Sequence, residues 1–212
     1  MHVESIDAVM SWREALAAPA AKRRWALTAL LIVFAAVSFS TFVQWVEGRP
    51  GAVLEDPVLP FLPRADLTWF TFAMVYAVTI AAILRALKRP LLLMRILQVY
   101  AGMLLIRIVA MYLLPLDPPA DAIPLADPIA AILFASESAP TRDLFFSGHT
   151  ATACVVLFTT KDRRWMLVFA LAALVIATAV LVQRVHYTID VFGAPFFVWA
   201  VCSVLNAAAK KN

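Results

Sequence analysis

The sequence predicts an all-α, polytopic membrane protein, a bundle of six transmembrane helices with both termini in the cytoplasm. Of the 212 residues, 63% are hydrophobic and only 15% are charged, and the mean hydropathy is +0.85. A soluble domain of this size does not carry so much apolar sequence, so the soluble classes are excluded. The apolar residues also fall into six runs that are each about long enough to cross a bilayer.

The apolar runs divide the chain into a short first segment and one membrane domain. Residues 1–24 are predicted to be cytoplasmic, and residues 3–18 form either an amphipathic surface helix or a frayed terminus. Residues 25–212 form the membrane domain, and its first run is too long for a cleaved signal peptide. The predicted spans are residues 25–46, 67–84, 91–114, 144–160, 165–183 and 187–207. In the connection before the fourth span, residues 129–135 are apolar but short, which predicts a re-entrant or interfacial piece.

The basic residues are unequally distributed between the connections. The N-terminal segment, the connections after the second and fourth spans, and the C-terminus each carry at least two Lys or Arg. By the positive-inside rule these parts are cytoplasmic. The formal charge of +4 therefore indicates topology, and no nucleic-acid partner is expected. An Ala-rich, compact chain suggests a bacterial plasma membrane, with the opposite connections facing the periplasm.

Two of the three histidines lie in short polar motifs at the ends of predicted spans. His149 is in Ser-Gly-His-Thr at residues 147–150, and His186 opens His-Tyr-Thr-Ile-Asp at residues 186–190. The predicted topology brings both to the same outer face. A titratable side chain at the mouth of an apolar run is a functional candidate by default. The alternative is an interfacial histidine whose hydrogen bonds are satisfied by a neighbour.

These motifs contain the groups that phosphoryl transfer requires. His186 and Asp190 are four residues apart, so on a helix the carboxylate can orient the imidazole and make it a better nucleophile. His149 can act as general acid and then as general base. Gly148 allows a close backbone approach, and Ser147 with the free N–H groups of a helix start can bind an anion. Two His and one Asp could also bind zinc, but no metal ligand set is apparent, and neither a metal nor a cofactor is expected.

Three arginines are candidates for binding the phosphate. Arg107 lies roughly 10 Å below the outer end of the third span at 1.5 Å per residue, where it either faces the bundle or extends to the interface. Arg142 and Arg184 flank the two motifs and are alternatively ordinary interfacial charges. The connection of residues 115–143 is acidic, which reflects either attraction for a cationic headgroup or the exclusion of basic residues from outer loops.

The two motifs together resemble a known family. The segment DLFFSGHT, residues 143–150, and the segment HYTIDV, residues 186–191, are similar to the paired signatures of the sphingomyelin synthases, a branch of the lipid phosphate phosphatase superfamily. Arg95 and Arg107 resemble the arginines of that family's third span. Residues 57–66 are a looser match to its proline-rich first outer loop. The resemblance covers most of the chain from residue 25 onward.

The resemblance implies a lipid phosphotransferase. His186 would attack the phosphorus of a phospholipid, Asp190 would orient it, and His149 would protonate the departing diacylglycerol. His149 would then deprotonate ceramide or another lipid alcohol, which would receive a phosphocholine or phosphoethanolamine headgroup. Asp143 and Tyr187, which belong to the signatures, are further candidates for substrate contact, while the oligomeric state is not indicated.

The chain departs from both branches at identifiable positions. Thr141 and Arg142 stand where the synthases have Cys-Gly. Val180, Phe146 and Ala82 stand where ordinary lipid phosphatases keep an arginine, a proline and a lysine. The differences from the phosphatases weaken a plain phosphatase, and a hydrolase of the same fold that uses water as acceptor is the alternative to the transferase. A non-enzymatic transporter or lipid-binding scaffold, in which the histidines serve a proton relay or a structural network, is the third hypothesis.

Overall fold

The computed structural model describes residues 11–127 and 140–211 of the chain. Residues 129–135 and residues 3–10 of the predicted surface helix lie outside these ranges. The helices are α1 (Trp12–Ala15), α2 (Pro19–Glu47), α3 (Thr68–Ala86), α4 (Pro90–Leu113), α5 (Gly148–Thr159), α6 (Arg163–Val182) and α7 (Thr188–Lys211), with one 3-10 turn at Leu59–Phe61.

Five of these helices are long and apolar enough to cross a membrane. They are α2, α3, α4, α6 and the stretch Thr188–Ala209 of α7, with mean hydropathies from 1.6 to 2.7. The prediction of an all-α polytopic membrane protein is therefore confirmed. The observed helix bounds differ from the predicted spans by a few residues at most ends, the usual uncertainty where helices fray.

The fourth predicted span forms a shorter helix than expected. Helix α5 has 12 residues, roughly 18 Å at 1.5 Å per residue, whereas residues 144–160 were predicted to cross the membrane. The helix begins late because the Ser147 side chain caps it, accepting a hydrogen bond from Thr150 N at 3.4 Å. Leu144 and Phe146 precede it as buried, non-helical residues. Since α5 packs against α3, α4, α6 and α7, its apolar side chains meet protein and a full-length span is not needed to bury them.

The six longer helices among the described residues alternate in direction, so each side of the bundle has three N-terminal and three C-terminal helix ends. The C-terminal ends of α2, α4 and α6 lie with the N-terminal ends of α3, α5 and α7, and we call this the histidine end. Its connections are hydrogen-bonded to each other, for example Ala52 N to Pro115 O at 3.0 Å. At the opposite end, Arg95 of α4 donates to Cys202 O of α7 at 2.9 Å. Arg95, which resembles an arginine of the synthase family, is thus remote in sequence and in space from the histidines.

The described part of the first segment is attached to this opposite end. Trp12 of α1 donates from its indole nitrogen to Leu87 O at 2.7 Å, and its ring lies 5.3 Å from that of Trp25. Tryptophan is suited to such a position because its ring is apolar and its N–H is polar. The segment therefore contacts the bundle at the end where the basic residues are concentrated.

The core of the bundle is packed closely around α5. Val99, Met103, Val155, Ile176 and Val198 are each at most 1% exposed. A Cβ atom on Gly102 of α4 would lie 2.7 Å from Val201 Cγ1 of α7, so this glycine sets how closely the two helices approach. In a bilayer such close packing, rather than transfer from water, provides much of the attraction between helices.

Candidate active site at the histidine end

A buried His–Asp pair lies at the start of α7, with His186 two residues before the helix and Asp190 in its first turn. His186 and Asp190 are 4% and 0% exposed, and His186 Nδ1 lies 3.3 Å from Asp190 Oδ2. The same carboxylate oxygen accepts a hydrogen bond from Tyr187 N at 2.9 Å. The carboxylate is acceptor-only when ionised, so it favours the tautomer that carries the proton on Nδ1 and leaves Nε2 with its lone pair.

The second histidine stands opposite this pair. His149 is the second residue of α5, and the centroid of its ring lies 6.4 Å from that of His186, with 63° between the ring planes. The ring of Phe72 contacts His149 edge-on at 5.5 Å. His149 Nδ1 is buried without a hydrogen-bond partner among the described residues. The imidazole of His149 is therefore held in place by packing against neighbouring rings and not by a hydrogen bond to Nδ1.

The two motifs are joined directly by the backbone. Ser147 N donates to Asp190 O at 3.0 Å, which ties the start of α5 to the first turn of α7. The sequence motifs therefore meet in space as well as at the same end of the bundle. Ser147 itself is fully buried, and its hydroxyl serves as the helix cap described above.

Arg107 faces the interior of the bundle at the level of the motifs. Its side chain is 4% exposed, and Nη2 forms an ion pair with Asp143 Oδ1 at 2.7 Å. Nε donates to Phe146 O at 2.8 Å, and the guanidinium carbon lies 4.9 Å from the centroid of the Phe39 ring. Of the two orientations that the sequence left open, the inward one is observed.

Gly148 is the point at which Arg107 meets α5. A Cβ atom at position 148 would lie 2.7 Å from Arg107 Nη1, so only glycine accommodates the guanidinium in this position. The sequence suggested that this glycine admits a ligand, and in the structure the neighbouring group is the arginine. The cation consequently lies against the N-terminus of a helix, where free N–H groups also favour an anion.

Arg142 and Arg184 are held by the connections of the histidine end. Arg142 pairs with the carboxylate of Asp117 and donates to Glu47 O. Arg184, which adopts a positive φ of 61°, donates to Leu62 O at 3.0 Å. These contacts fasten loops to one another, and a direct role for either arginine in phosphate binding stays a prediction.

Tyr187, like Arg142 and Arg184, is hydrogen-bonded to the connections of the histidine end. Its side chain is 1% exposed, and its hydroxyl donates to Asp117 O at 2.9 Å and accepts from Leu54 N at 3.2 Å. The hydroxyl thus bridges the first and second connections of the histidine end. These bonds explain why a tyrosine follows His186, and substrate contact by Tyr187 also stays a prediction.

Asp56 is a site residue that sequence reasoning missed. It accepts hydrogen bonds at the start of α7, from Thr188 N at 2.6 Å and Thr188 Oγ1 at 2.9 Å. Burial acts to raise the pKa of Asp56, but the bonds from Thr188, Val58 and Leu59 outweigh it and hold this pKa below its ordinary value of 3.8. Tyr187, the residue before α7, has no side-chain oxygen placed to cap the helix, but no sequence pattern identifies the residue 132 positions away that caps it.

The positions at which the chain differs from lipid phosphatases are apolar in the structure. Val180 is fully buried in a cluster with Ala177 and Val191. Ala82 is 5% exposed and belongs to the main core. Phe146 is fully buried and stacks on Phe197 at 4.8 Å, while its carbonyl receives the hydrogen bond from Arg107. These three side chains therefore contribute packing to the bundle.

Fold and site together define an all-α integral membrane protein with a buried His–Asp pair, a second histidine and an inward arginine at one end of its bundle. Residues 142–207 match the family described as PAP2 superfamily C-terminal, a range that contains both histidine motifs. The match supports a relation to the PAP2, or lipid phosphate phosphatase, superfamily, and it indicates a fold of the phosphatase or phosphotransferase type. It does not single out the sphingomyelin synthase branch. A search of curated proteins found no match.

Proposed function

We propose that the protein is a lipid phosphotransferase. It moves a phospho-headgroup of the phosphocholine or phosphoethanolamine type from a glycerophospholipid to ceramide or another lipid alcohol, through a phosphohistidine at His186. The observation that carries the proposal is the meeting of His186, Asp190 and His149 beside Arg107. The site would face the outer leaflet, on the periplasmic side of a bacterial plasma membrane.

The first step is attack by His186 on phosphorus. Asp190 engages Nδ1 at 3.3 Å, so Nε2 is the nitrogen that carries the free lone pair and forms the new P–N bond. The bond from phosphorus to the diacylglycerol oxygen breaks, and its electrons stay on that oxygen. The negative carboxylate also stabilises the positive charge that develops on the imidazole during attack.

His149 supplies and then recovers the proton. In the first step its protonated imidazole donates to the departing diacylglycerol oxygen. In the second step the neutral imidazole takes the proton of the acceptor hydroxyl, whose oxygen attacks phosphorus while the P–N bond breaks and restores His186. The rings are 6.4 Å apart, which is too far for a direct hydrogen bond between them and is compatible with a phosphoryl group in between.

Arg107 is the cation at the phosphoryl group. Nε and Nη2 are engaged by Phe146 O and Asp143, whereas Nη1 lies at Gly148 and can donate to a phosphoryl oxygen. Fixed donors of this kind stabilise the charge that builds up on equatorial oxygens in the transition state.

The charge of this arrangement favours a diester as donor. A phosphomonoester carries nearly two negative charges at neutral pH, because its second pKa is about 6, whereas the headgroup diester of a phospholipid carries one on phosphorus. Asp143 already neutralises much of the charge of Arg107. Val180 and Ala82 replace basic residues with apolar ones. A singly charged phosphate is the better electrostatic match to such a site.

A lipid-product assay tests the proposal. Purified protein would be reconstituted into liposomes with a headgroup-labelled phospholipid, with and without ceramide or diacylglycerol. Wild type, His186→Ala and the control His2→Ala, which alters the histidine outside both motifs, would be compared. A labelled new lipid should form only with an acceptor, should be lost in His186→Ala and should persist in His2→Ala.

Two results would overturn the transferase. Label released into water, again dependent on His186, would make the protein a hydrolase of the same architecture. No conversion by wild type under any acceptor condition would favour the transporter or scaffold hypothesis, in which the histidines serve another purpose.

A further inference from the structure

The start of α7 depends on a residue far away in sequence. The first N–H groups of a helix have no partner within the helix, and Tyr187, which precedes α7, offers no capping oxygen. Asp190 satisfies Tyr187 N at 2.9 Å. The next donor, Thr188 N, is satisfied by Asp56 Oδ2 at 2.6 Å across 132 positions of sequence.

Asp56 is itself held firmly by the first connection. Its Oδ1 accepts hydrogen bonds from Val58 N at 2.9 Å and Leu59 N at 3.1 Å. Leu59 begins the 3-10 turn and is 4% exposed, in an apolar cluster with Leu116, Leu144 and Tyr187. The carboxylate therefore connects a packed loop to the helix start, so it can act as a fixed anchor.

His186 lies two residues before Thr188 and shares this anchorage. Its alignment with Asp190 is set by how the chain enters α7, because His186 lies before the first residue of the helix and Asp190 lies in its first turn. Reactive groups must be held within about 0.5 Å of their productive geometry, and residues outside the reacting set provide this support. A negative charge at a helix N-terminus is also favourable in itself.

We propose that Asp56 is a positioning residue for His186. Its carboxylate anchors the first turn of α7 through Thr188, and this keeps His186 Nδ1 on Asp190 and His186 Nε2 directed at the phosphoryl group. The inference rests on the proposed function for its effect on turnover. The expected effect of Asp56 on the tautomer of the His186 imidazole does not depend on the proposed function.

The kinetic test compares two carboxylates that cap helices at the same end. Asp56→Asn replaces one carboxylate oxygen with an NH2 group. With that group in the Oδ2 position, two donors face each other and the hydrogen bond from Thr188 N is lost. Asp66→Asn is the matched control, since Asp66 accepts from Thr68 N at 2.9 Å at the start of α3, which carries no histidine. Both variants should lower Tm slightly. Asp56→Asn alone should lower kcat, by about 10-fold, with KM changed less than two-fold.

A second variant protects the test against misfolding. Thr188→Val removes the hydroxyl that donates to Asp56 Oδ1 at 2.9 Å while keeping the backbone N–H and the branched side chain. It should lower kcat in the same direction by about two- to three-fold. Glu55→Gln, at the exposed neighbour of Asp56, should leave kcat unchanged.

A spectroscopic measurement separates this inference from the proposed function. In full-length protein labelled with 15N-histidine, three side chains contribute signals, and His2 and His149 can be assigned by substitution. Wild type should show His186 protonated on Nδ1. Asp56→Asn should shift the population toward the Nε2–H tautomer, and Asp66→Asn should not.

The outcomes are distinct. A wild-type His186 signal and a wild-type kcat in Asp56→Asn would overturn the proposal, as would equal changes in both measurements for Asp66→Asn. If wild-type protein transfers no headgroup, the proposed function fails, while the tautomer shift still decides whether Asp56 positions His186.

Discussion

Arg107 and Asp143 form an ion pair at 2.7 Å across 36 positions of sequence. The arginine comes from the last third of α4 and the aspartate from the segment that leads into α5. The arginine side chain is 4% exposed and the aspartate side chain 26%, so this is a pair at the boundary between the protein interior and its histidine end. Such a pair costs free energy to bury and depends on further hydrogen bonds, which Phe146 O provides. The arrangement fixes the guanidinium at the N-terminus of α5.

Arg107→Lys should lower kcat/KM by about 10- to 100-fold, because an ammonium group cannot serve Asp143, Phe146 O and a phosphate at once as the planar guanidinium can. The measurement is headgroup transfer in liposomes at varied donor concentration. Arg95→Lys is the control on the same helix, since Arg95 binds Cys202 O at the opposite end. Equal losses in both variants would contradict a special role for Arg107.

Gly148→Ala should reduce turnover at least about 10-fold while leaving the fold intact. Alanine is at least as good a helix former as glycine, but its Cβ would occupy the position beside Arg107 Nη1 and push the guanidinium away. Transfer rates and thermal unfolding in detergent would be measured together. Gly48→Ala is the control, because among the described residues a Cβ there meets only Trp45 O, at 3.7 Å. A fully active Gly148→Ala variant would show that the position of the guanidinium does not matter.

Incubation with donor alone should attach the labelled phospho-headgroup to the protein, because the second step lacks its acceptor. A P–N bond to histidine is broken in acid and survives base, so the label should be lost in acid. His186→Ala should retain no label, and Asp190→Asn should slow labelling by about 10²- to 10⁴-fold, since the carboxylate both orients the ring and stabilises its charge. Label that persists in His186→Ala would assign the nucleophile to another residue.

Asp56→Asn should make the melting temperature fall less steeply as the pH is lowered. The pKa of Asp56 is held below its ordinary value of 3.8, against the opposing effect of burial, by hydrogen bonds that include those from Thr188. A carboxylate whose pKa is lower in the folded state stabilises the fold at pH values above the ordinary value, and this contribution is lost as the pH falls through the folded-state pKa. Thermal unfolding from pH 6 to pH 3 would detect this. Asp66 and Asp117 also have lowered pKa values. Their contributions to the pH dependence of stability should be unchanged in the variant.

Cysteine labelling should establish the orientation of the bundle. In a background with both native cysteines replaced, Glu55→Cys lies in an exposed position at the histidine end and Arg163→Cys in an exposed position at the opposite end. An impermeant maleimide added to intact cells should label Glu55→Cys directly and Arg163→Cys only after permeabilisation. The reverse pattern would place the site on the cytoplasmic side.

The apolar runs and their order were sufficient to predict the helices and to bring both histidine motifs to one end of the bundle. Runs of this length must be helical in a bilayer, because the backbone has no water to satisfy its polar groups. Each run that crosses the bilayer also reverses the direction of the chain. The i, i+4 spacing also predicted contact between His186 and Asp190, but His186 lies two residues before α7, so this contact depends on how the chain enters the helix and not on helix geometry alone. Helix α5 was predicted too long because apolar composition does not distinguish a residue facing lipid from one facing protein.

What the sequence by itself determined is therefore local: the membrane class, the alternation of helices, the His–Asp pair and the end at which it lies. The tertiary structure decided the partners. Arg107 meets Asp143 and Gly148, and Asp56 meets Thr188 132 positions away, through connections that have no periodic pattern. Such contacts depend on how the loops fold over the helix ends, and a residue's type and spacing do not encode which distant acceptor a buried donor will reach.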